Sequence, residues 1–197
     1  MLKKADTKPL SSKREITIYI GNLHASLEPA VIYTLLGSCV AVCLYDRVAR
    51  IGGMNHIMLP GKADMRHFDS SARYGINAME LLINRIMALG GNRKRLVAKA
   101  FGGAHVLPDI SPENGVGRKN IEFVFEFLKV ETIELISHDL GGYEARKVYF
   151  HTDTGEVLLK RIPSSNYSDV AIEERKLFEQ VCSKSKKPGR ITLFTEE

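Results

Sequence analysis

TLLGSCVAVCLYDRVARIGGMNHIMLP, residues 34–60, holds two apolar runs separated by the polar DRVA of Asp46 to Ala49. Apolar runs of this length on either side of a turn signal read as two antiparallel strands. Cys39 follows a Gly37-Ser38 turn at the head of the first run, and His56 lies in the second. A hairpin symmetric about Arg47 and Val48 sets Cys39 opposite His56 and Cys43 opposite Gly52. Directly opposed residues share a face, with Cβ atoms roughly 4.5 to 5.5 Å apart. The spacing therefore permits a Cys–His pair, in which imidazole lowers the thiol pKa and the thiolate is the nucleophile. Glycine before the cysteine lets backbone amides approach a reacting carbonyl, so the backbone of Ser38 and Cys39 is the candidate oxyanion site. A buried cysteine beside a core histidine fits the same pattern, because thiols are among the most buried side chains. On spacing alone both readings stand.

Outward from this stretch the chain reads as one β-rich domain. Residues 16–21, ITIYIG, alternate as a first strand, and residues 22–29 read as loop. Residues 61–71 are polar and suit an exposed loop beside the site. Met79, Leu82, Ile83 and Ile86 recur on one face of a helix over 74–89, with Ser70 or Ser71 to cap its start and Gly90-Gly91 to stop it. RLVAKAF, 95–101, reads as a buried strand ending at FGGA, whose paired glycines permit close backbone approach. After a loop over 108–117, Ile121, Val124, Phe125 and Leu128 mark a second helix over 118–129. A strand over 131–138 follows, and Asp153-Thr154-Gly155 turns a hairpin between RKVYFHT and EVLLKRI. This order, β-rich with two or three inserted helices, predicts an α+β fold.

Residues 1–14 are polar and basic and read as a disordered leader to a domain over 15–162. Residues 163–197 read as an appendage, with a short helix over 169–181, the basic linker SKSKKPGR and an unassigned ITLFTEE. With 197 residues, 44% hydrophobic and 26% charged, the chain has room for one substantial core. No window is apolar for long enough to span a bilayer, and the N-terminus lacks the apolar stretch of a secretory signal, so a cytoplasmic location is expected. Three cysteines, an odd number, argue against a disulfide framework. Six scattered histidines without a CxxC argue against a metal site. The net charge of +5 owes much to lysines and arginines near the two ends. That distribution suits solubility or loose attraction to an acidic partner, and no motif for nucleic-acid recognition accompanies it.

GSCVAVCLYD, GGMNHIMLP, AKAFGGAHV, GRKNIEFV and HDLGG occur in that order between about residues 15 and 162. As an ordered set they resemble the CheD family of chemoreceptor glutamine deamidases. The resemblance implies a layered α/β sandwich in which helices cover mixed β-sheets. It implies Cys39 as nucleophile and His56 as base, with no cofactor, acting on glutamines in the cytoplasmic helices of methyl-accepting chemotaxis receptors. It further implies a docking surface that includes Phe101, Gly102 and Gly103, and in some organisms a CheC-type phosphatase as partner. A threonine shortly before the GSC motif is the family's histidine-orienting residue. Here Thr34 lies five positions before Cys39 and Tyr33 six. Strict alternation along one strand gives the Cys39 face to Tyr33, whereas a bulge at Gly37 gives it to Thr34; Thr34 is the expected one. Two other classes of function fit the same residues: a docking module without turnover, and a thiol amidase acting on another protein.

Overall fold

The structure is a computed structural model that describes residues 13–59, 70–106 and 115–162. The loops expected over 61–71 and 108–117 fall largely outside these residues. The terminal segments, including the short helix over 169–181 and Cys182, lie outside them too, apart from Lys13 and Arg14. In chain order the elements are β1 (Arg14–Thr17), β2 (Leu23–Ser26), β3 (Ala30–Leu36), β4 (Val40–Asp46), β5 (Ile51–Ile57), α1 (Ser70–Ala88), β6 (Leu96–Gly102), α2 (Val116–Val130), β7 (Glu134–Leu140), β8 (Ala145–His151) and β9 (Val157–Ile162). The strands form a four-stranded sheet, β1-β3-β8-β9, and a five-stranded sheet, β2-β5-β4-β6-β7. Both sheets are mixed, since β1 runs parallel to β3 and β6 parallel to β7 while the other pairs are antiparallel.

Period-two alternation sorts the side chains of the five-stranded sheet into two cores. Val40, Val42 and Leu44 of β4 face the helices, where Met79, Leu82, Ile83 and Ile86 of α1 meet Phe123, Val124, Phe127 and Leu128 of α2. Cys39, Ala41, Cys43, Met54 and Met58 point the other way, onto Ile32 and Leu36 of β3 and Val148 and Phe150 of β8. The layers are thus sheet, sheet, helices. This is the α+β layered sandwich expected from the sequence, with the difference that both described helices cover the five-stranded sheet: α1 packs on β2 and β5, and α2 on β4, β6 and β7.

Several boundaries differ for identifiable reasons. β2 occupies a stretch read as loop, because three half-buried residues and the buried Ala25 carry too little alternation to register as a strand. Helix α1 begins at Ser70, so the two serines offered as caps lie within its first turn. At its other end Gly90 takes φ +105° and donates to the Met87 carbonyl, which stops the helix as the paired glycines suggest. Strand β7 begins at Glu134 because α2 runs to Val130 and Thr132, at φ +54°, turns the chain first. The buried stripe of α2 is Gly117, Asn120, Phe123, Val124, Phe127 and Leu128, rotated from the one expected, which leaves Phe125 exposed.

The register of the β4–β5 hairpin is the correction with most bearing on the site. Asp46 pairs with Ile51, and residues 47–50 form the turn, so Ala41 rather than Cys39 lies opposite His56, and Met54 rather than Gly52 opposite Cys43. The turn is centred one residue later than the polar DRVA suggests, because Asp46 belongs to the strand. Its buried carboxylate accepts hydrogen bonds from Val48 N and Ala49 N across the turn, from Asn92 N, and from the Arg95 guanidinium. Burial alone raises the Asp46 carboxyl, but Arg95 and these three N–H groups outweigh it and hold the group well below the usual carboxylate range. A shift of two residues preserves the face, so Cys39 and His56 still point into the same core.

Candidate active site

Thr34, Cys39 and His56 come from both sheets. Strand β3 ends at Leu36, residues 37–39 bend, and the chain re-enters as β4 in the other sheet. Thr34 alternates inward with Ile32 and Leu36, from the sheet opposite His56, and needs no bulge to do so. Alternation counted along a single strand from Tyr33 to Cys39 does not apply, because the two residues belong to facing sheets. Tyr33 turns outward, its ring 4.9 Å from that of Tyr149.

Across the sandwich Thr34 Oγ1 lies 2.8 Å from His56 Nδ1. The threonine hydroxyl has one proton and donates it to the Ile18 carbonyl at 2.8 Å. Only lone pairs of Oγ1 remain for the histidine, so Nδ1 carries the ring proton and Nε2 is bare. Among the described residues, His56 Nε2 is the one buried side-chain nitrogen or oxygen without a hydrogen-bond partner. A bare, buried nitrogen with its tautomer set from behind is the form in which histidine accepts a proton. In this structure Nε2 is not hydrogen-bonded to Cys39 either; the two share a face and a core without direct contact of that kind.

Burial pulls the His56 imidazole pKa down to about 3 from an ordinary 6.5. Between these values the unfolded chain binds a proton here that the folded chain does not, so stability falls as the pH drops below 6.5 and is fully present above it. The loss approaches about 1.4 kcal/mol per pH unit. Urea unfolding should therefore lose about 2 kcal/mol between pH 6.5 and pH 5 in the wild type. His56→Asn, whose amide can keep the Thr34 contact, should flatten that acid limb; parallel pH dependences in the two proteins would contradict the assignment.

The turn that presents Cys39 is held by its carbonyls. Cys39 O accepts from Gly103 N at 2.7 Å, Gly37 O from Ala104 N at 2.8 Å, and Ser38 O from the Asn120 side-chain amide at 2.9 Å. Gly102 sits at φ +107°, and a Cβ there would overlap the Cys39 carbonyl oxygen. The FGGA glycines thus serve close backbone approach to the nucleophile turn. Phe101, Gly102 and Gly103 are all buried, and Gly103 borders a hollow with His105, Ile121 and Tyr143. Gly102→Ala should cost on the order of 3 kcal/mol, since it combines left-handed strain with a backbone clash. A thermal or urea unfolding curve like that of the wild type would contradict this geometry.

Comparison with known proteins bears on what this arrangement is. The profile of the family described as CheD chemotactic sensory transduction matches residues 58–161. The chain is 46% identical over 151 residues to a protein of Chromobacterium violaceum named probable chemoreceptor glutamine deamidase CheD 2, covering 76% of this chain and 75% of that one. The chain belongs to the CheD family. A Stenotrophomonas maltophilia relative named probable chemoreceptor glutamine deamidase CheD is 45% identical over 168 residues, covering 85% of this chain and 82% of its own. One from Vibrio vulnificus with the same name is 37% identical over 187 residues, covering 91% and 86%.

Two features of this CheD site were not read from the sequence. One is that Cys43, on the Cys39 face, is buried so deeply that its thiol is pushed well above the ordinary range, with Lys99 only partly offsetting the burial. The other is Asn120, fully buried in α2. A polar residue standing among Gly117, Phe123, Val124 and Phe127 on the buried stripe of a helix was a legible signal for a side chain with hydrogen bonds to make. Among the described residues no helix is long and apolar enough to cross a membrane.

Proposed function

We propose that this chain is a protein-glutamine deamidase that converts glutamine side chains of chemoreceptors to glutamate through a thioester on Cys39. The observation that carries the reading is the bare Nε2 of His56, its tautomer set by Thr34, in the core layer that also holds Cys39. Membership of a family whose named members are chemoreceptor glutamine deamidases supports the substrate class.

In the proposed reaction His56 Nε2 takes the Cys39 proton and the sulfur attacks the amide carbon of the glutamine. The carbonyl π electrons move onto oxygen, where backbone N–H donors at Ser38 and Cys39 stabilise the anion. His56 returns the proton to the amide nitrogen, the C–N bond breaks, and ammonia leaves a glutamyl thioester. Water, giving a proton to His56, attacks the thioester, and the C–S bond breaks to yield glutamate and the thiol. The balance is one water consumed and one ammonia released, with no redox partner.

Burial of the neutral imidazole keeps it unprotonated at pH 7 but makes it a weak base. Proton removal and attack are proposed to occur together, with the Thr34 and oxyanion contacts stabilising the charges that develop. We propose that the docking role implied for Phe101, Gly102 and Gly103 is exerted beside a hollow of about 250 Å³ lined by Gly103, His105, Ile121, Gly142 and Tyr143 among others. Receptor helices and a CheC-type phosphatase are its proposed occupants, in the cytoplasm.

A second reading, a docking module without turnover, draws on Cys39 having 0% exposure. Ammonia release from a purified chemoreceptor cytoplasmic fragment, with receptor glutamines followed by mass spectrometry, decides between them. Stoichiometric glutamate formation supports the enzyme; binding without ammonia supports the module.

A further inference from the structure

Asn120 stands in the GRKNIEFV stretch and carries no assigned role. It is 0% exposed, and it uses both ends of its amide: Leu59 N donates to Oδ1 at 2.9 Å, and Nδ2 donates to the Ser38 carbonyl at 2.9 Å. Leu59 lies three residues beyond His56, and Ser38 immediately precedes Cys39. One side chain from α2 therefore ties the segment carrying the base to the turn carrying the thiol.

The bond to Ser38 has a directional consequence. The Ser38–Cys39 peptide is planar, and in a trans peptide the carbonyl and the following N–H point in opposite directions; the described residues contain no cis peptide. With the Ser38 oxygen drawn toward α2, the Cys39 N–H is turned to the side away from that helix. Helix α2 packs on one face of the five-stranded sheet, and Cys39 and His56 belong to the core on the other. We infer that Asn120 is a positioning residue for the deamidation chemistry, aiming the Cys39 N–H at the oxyanion that forms beside the thiolate. Among the described residues three contacts hold the carbonyls of residues 37–39, and of these the Asn120 contact is made by a side chain, whereas Gly103 and Ala104 use their backbone. It is accordingly the one that a substitution can remove while leaving the others in place.

The inference rests on the deamidase reading, and its test separates the two. Asn120→Leu keeps the volume and removes both hydrogen bonds, while Asn120→Ala removes them with less crowding. Deamidation of a chemoreceptor cytoplasmic fragment is measured alongside alkylation of Cys39 by iodoacetamide, located by peptide mass spectrometry. Alkylation needs the thiolate but forms no tetrahedral oxyanion, so it reports the Cys–His pair and the intact fold without the oxyanion donor. Expected is a ten- to hundredfold fall in kcat, KM within about twofold, and a Cys39 alkylation rate within about threefold of wild type, in keeping with misdirecting one donor. Unchanged kcat overturns the inference, as does a parallel loss of kcat and alkylation or failure of both variants to fold, each of which marks a structural role. A wild-type protein that releases no ammonia overturns the deamidase reading and this inference with it, whereas wild-type turnover with unaffected variants overturns this inference alone.

Discussion

Cys39→Ala is expected to release no measurable ammonia from a chemoreceptor fragment, a loss on the order of 10⁴-fold or more, because the thioester cannot form without the sulfur. Cys43→Ala should keep its kcat. The two cysteines share a strand face and a core, so the contrast tests chemistry against packing. Cys43 sits opposite Met54 in mid-ladder, and burial holds its thiol protonated. Cys39 precedes β4, in the bend over residues 37–39. Replacing either thiol group by hydrogen removes a small buried volume, costing about 1 to 2 kcal/mol at most. Unfolding midpoints should thus be similar for the two variants while activities differ by orders of magnitude. Ammonia release by Cys39→Ala would dispose of the thioester mechanism, and equal loss in both variants would reassign the effect to packing.

How far such a site can be read without coordinates depends on which interactions are local. The cysteine and histidine are legible because a hairpin is a local structure: a turn signal between two apolar runs puts them on one face, and a register error of two residues leaves the face unchanged. The true register depends on Asp46, whose place in the strand is secured by Arg95 and Asn92 from elsewhere in the chain. Helix α1 is legible from its own periodicity and capping glycines. The partition of the strands into two sheets is not, since β3 and β4 are adjacent in sequence and separate at Gly37 into different layers. Only that partition explains how Thr34 meets His56. The clamp by Asn120 joins segments 82 and 61 residues away, and no local pattern specifies such partners.

Thr34→Ala and the isosteric Thr34→Val are expected to lower kcat by on the order of 10²- to 10³-fold with KM nearly unchanged, while Tyr33→Phe has no effect. The argument is one of proton bookkeeping. With the threonine present, its hydroxyl proton is committed to the Ile18 carbonyl, and its oxygen can only accept from His56 Nδ1. Without it Nδ1–H is a buried donor facing a methyl, at a cost of about 1 to 3 kcal/mol. Nothing then fixes the ring proton at Nδ1, and in the share of molecules that carry it on Nε2 it occupies the lone pair the reaction needs. Tyr33 lies on the outer face against Tyr149 and touches neither proton. Nitrogen-15 chemical shifts of the His56 ring distinguish the tautomers directly: the wild type should carry its proton on Nδ1, and Thr34→Val should shift toward Nε2. A Thr34→Val protein that keeps the Nδ1 proton and full kcat would remove the threonine from the proposed catalytic set.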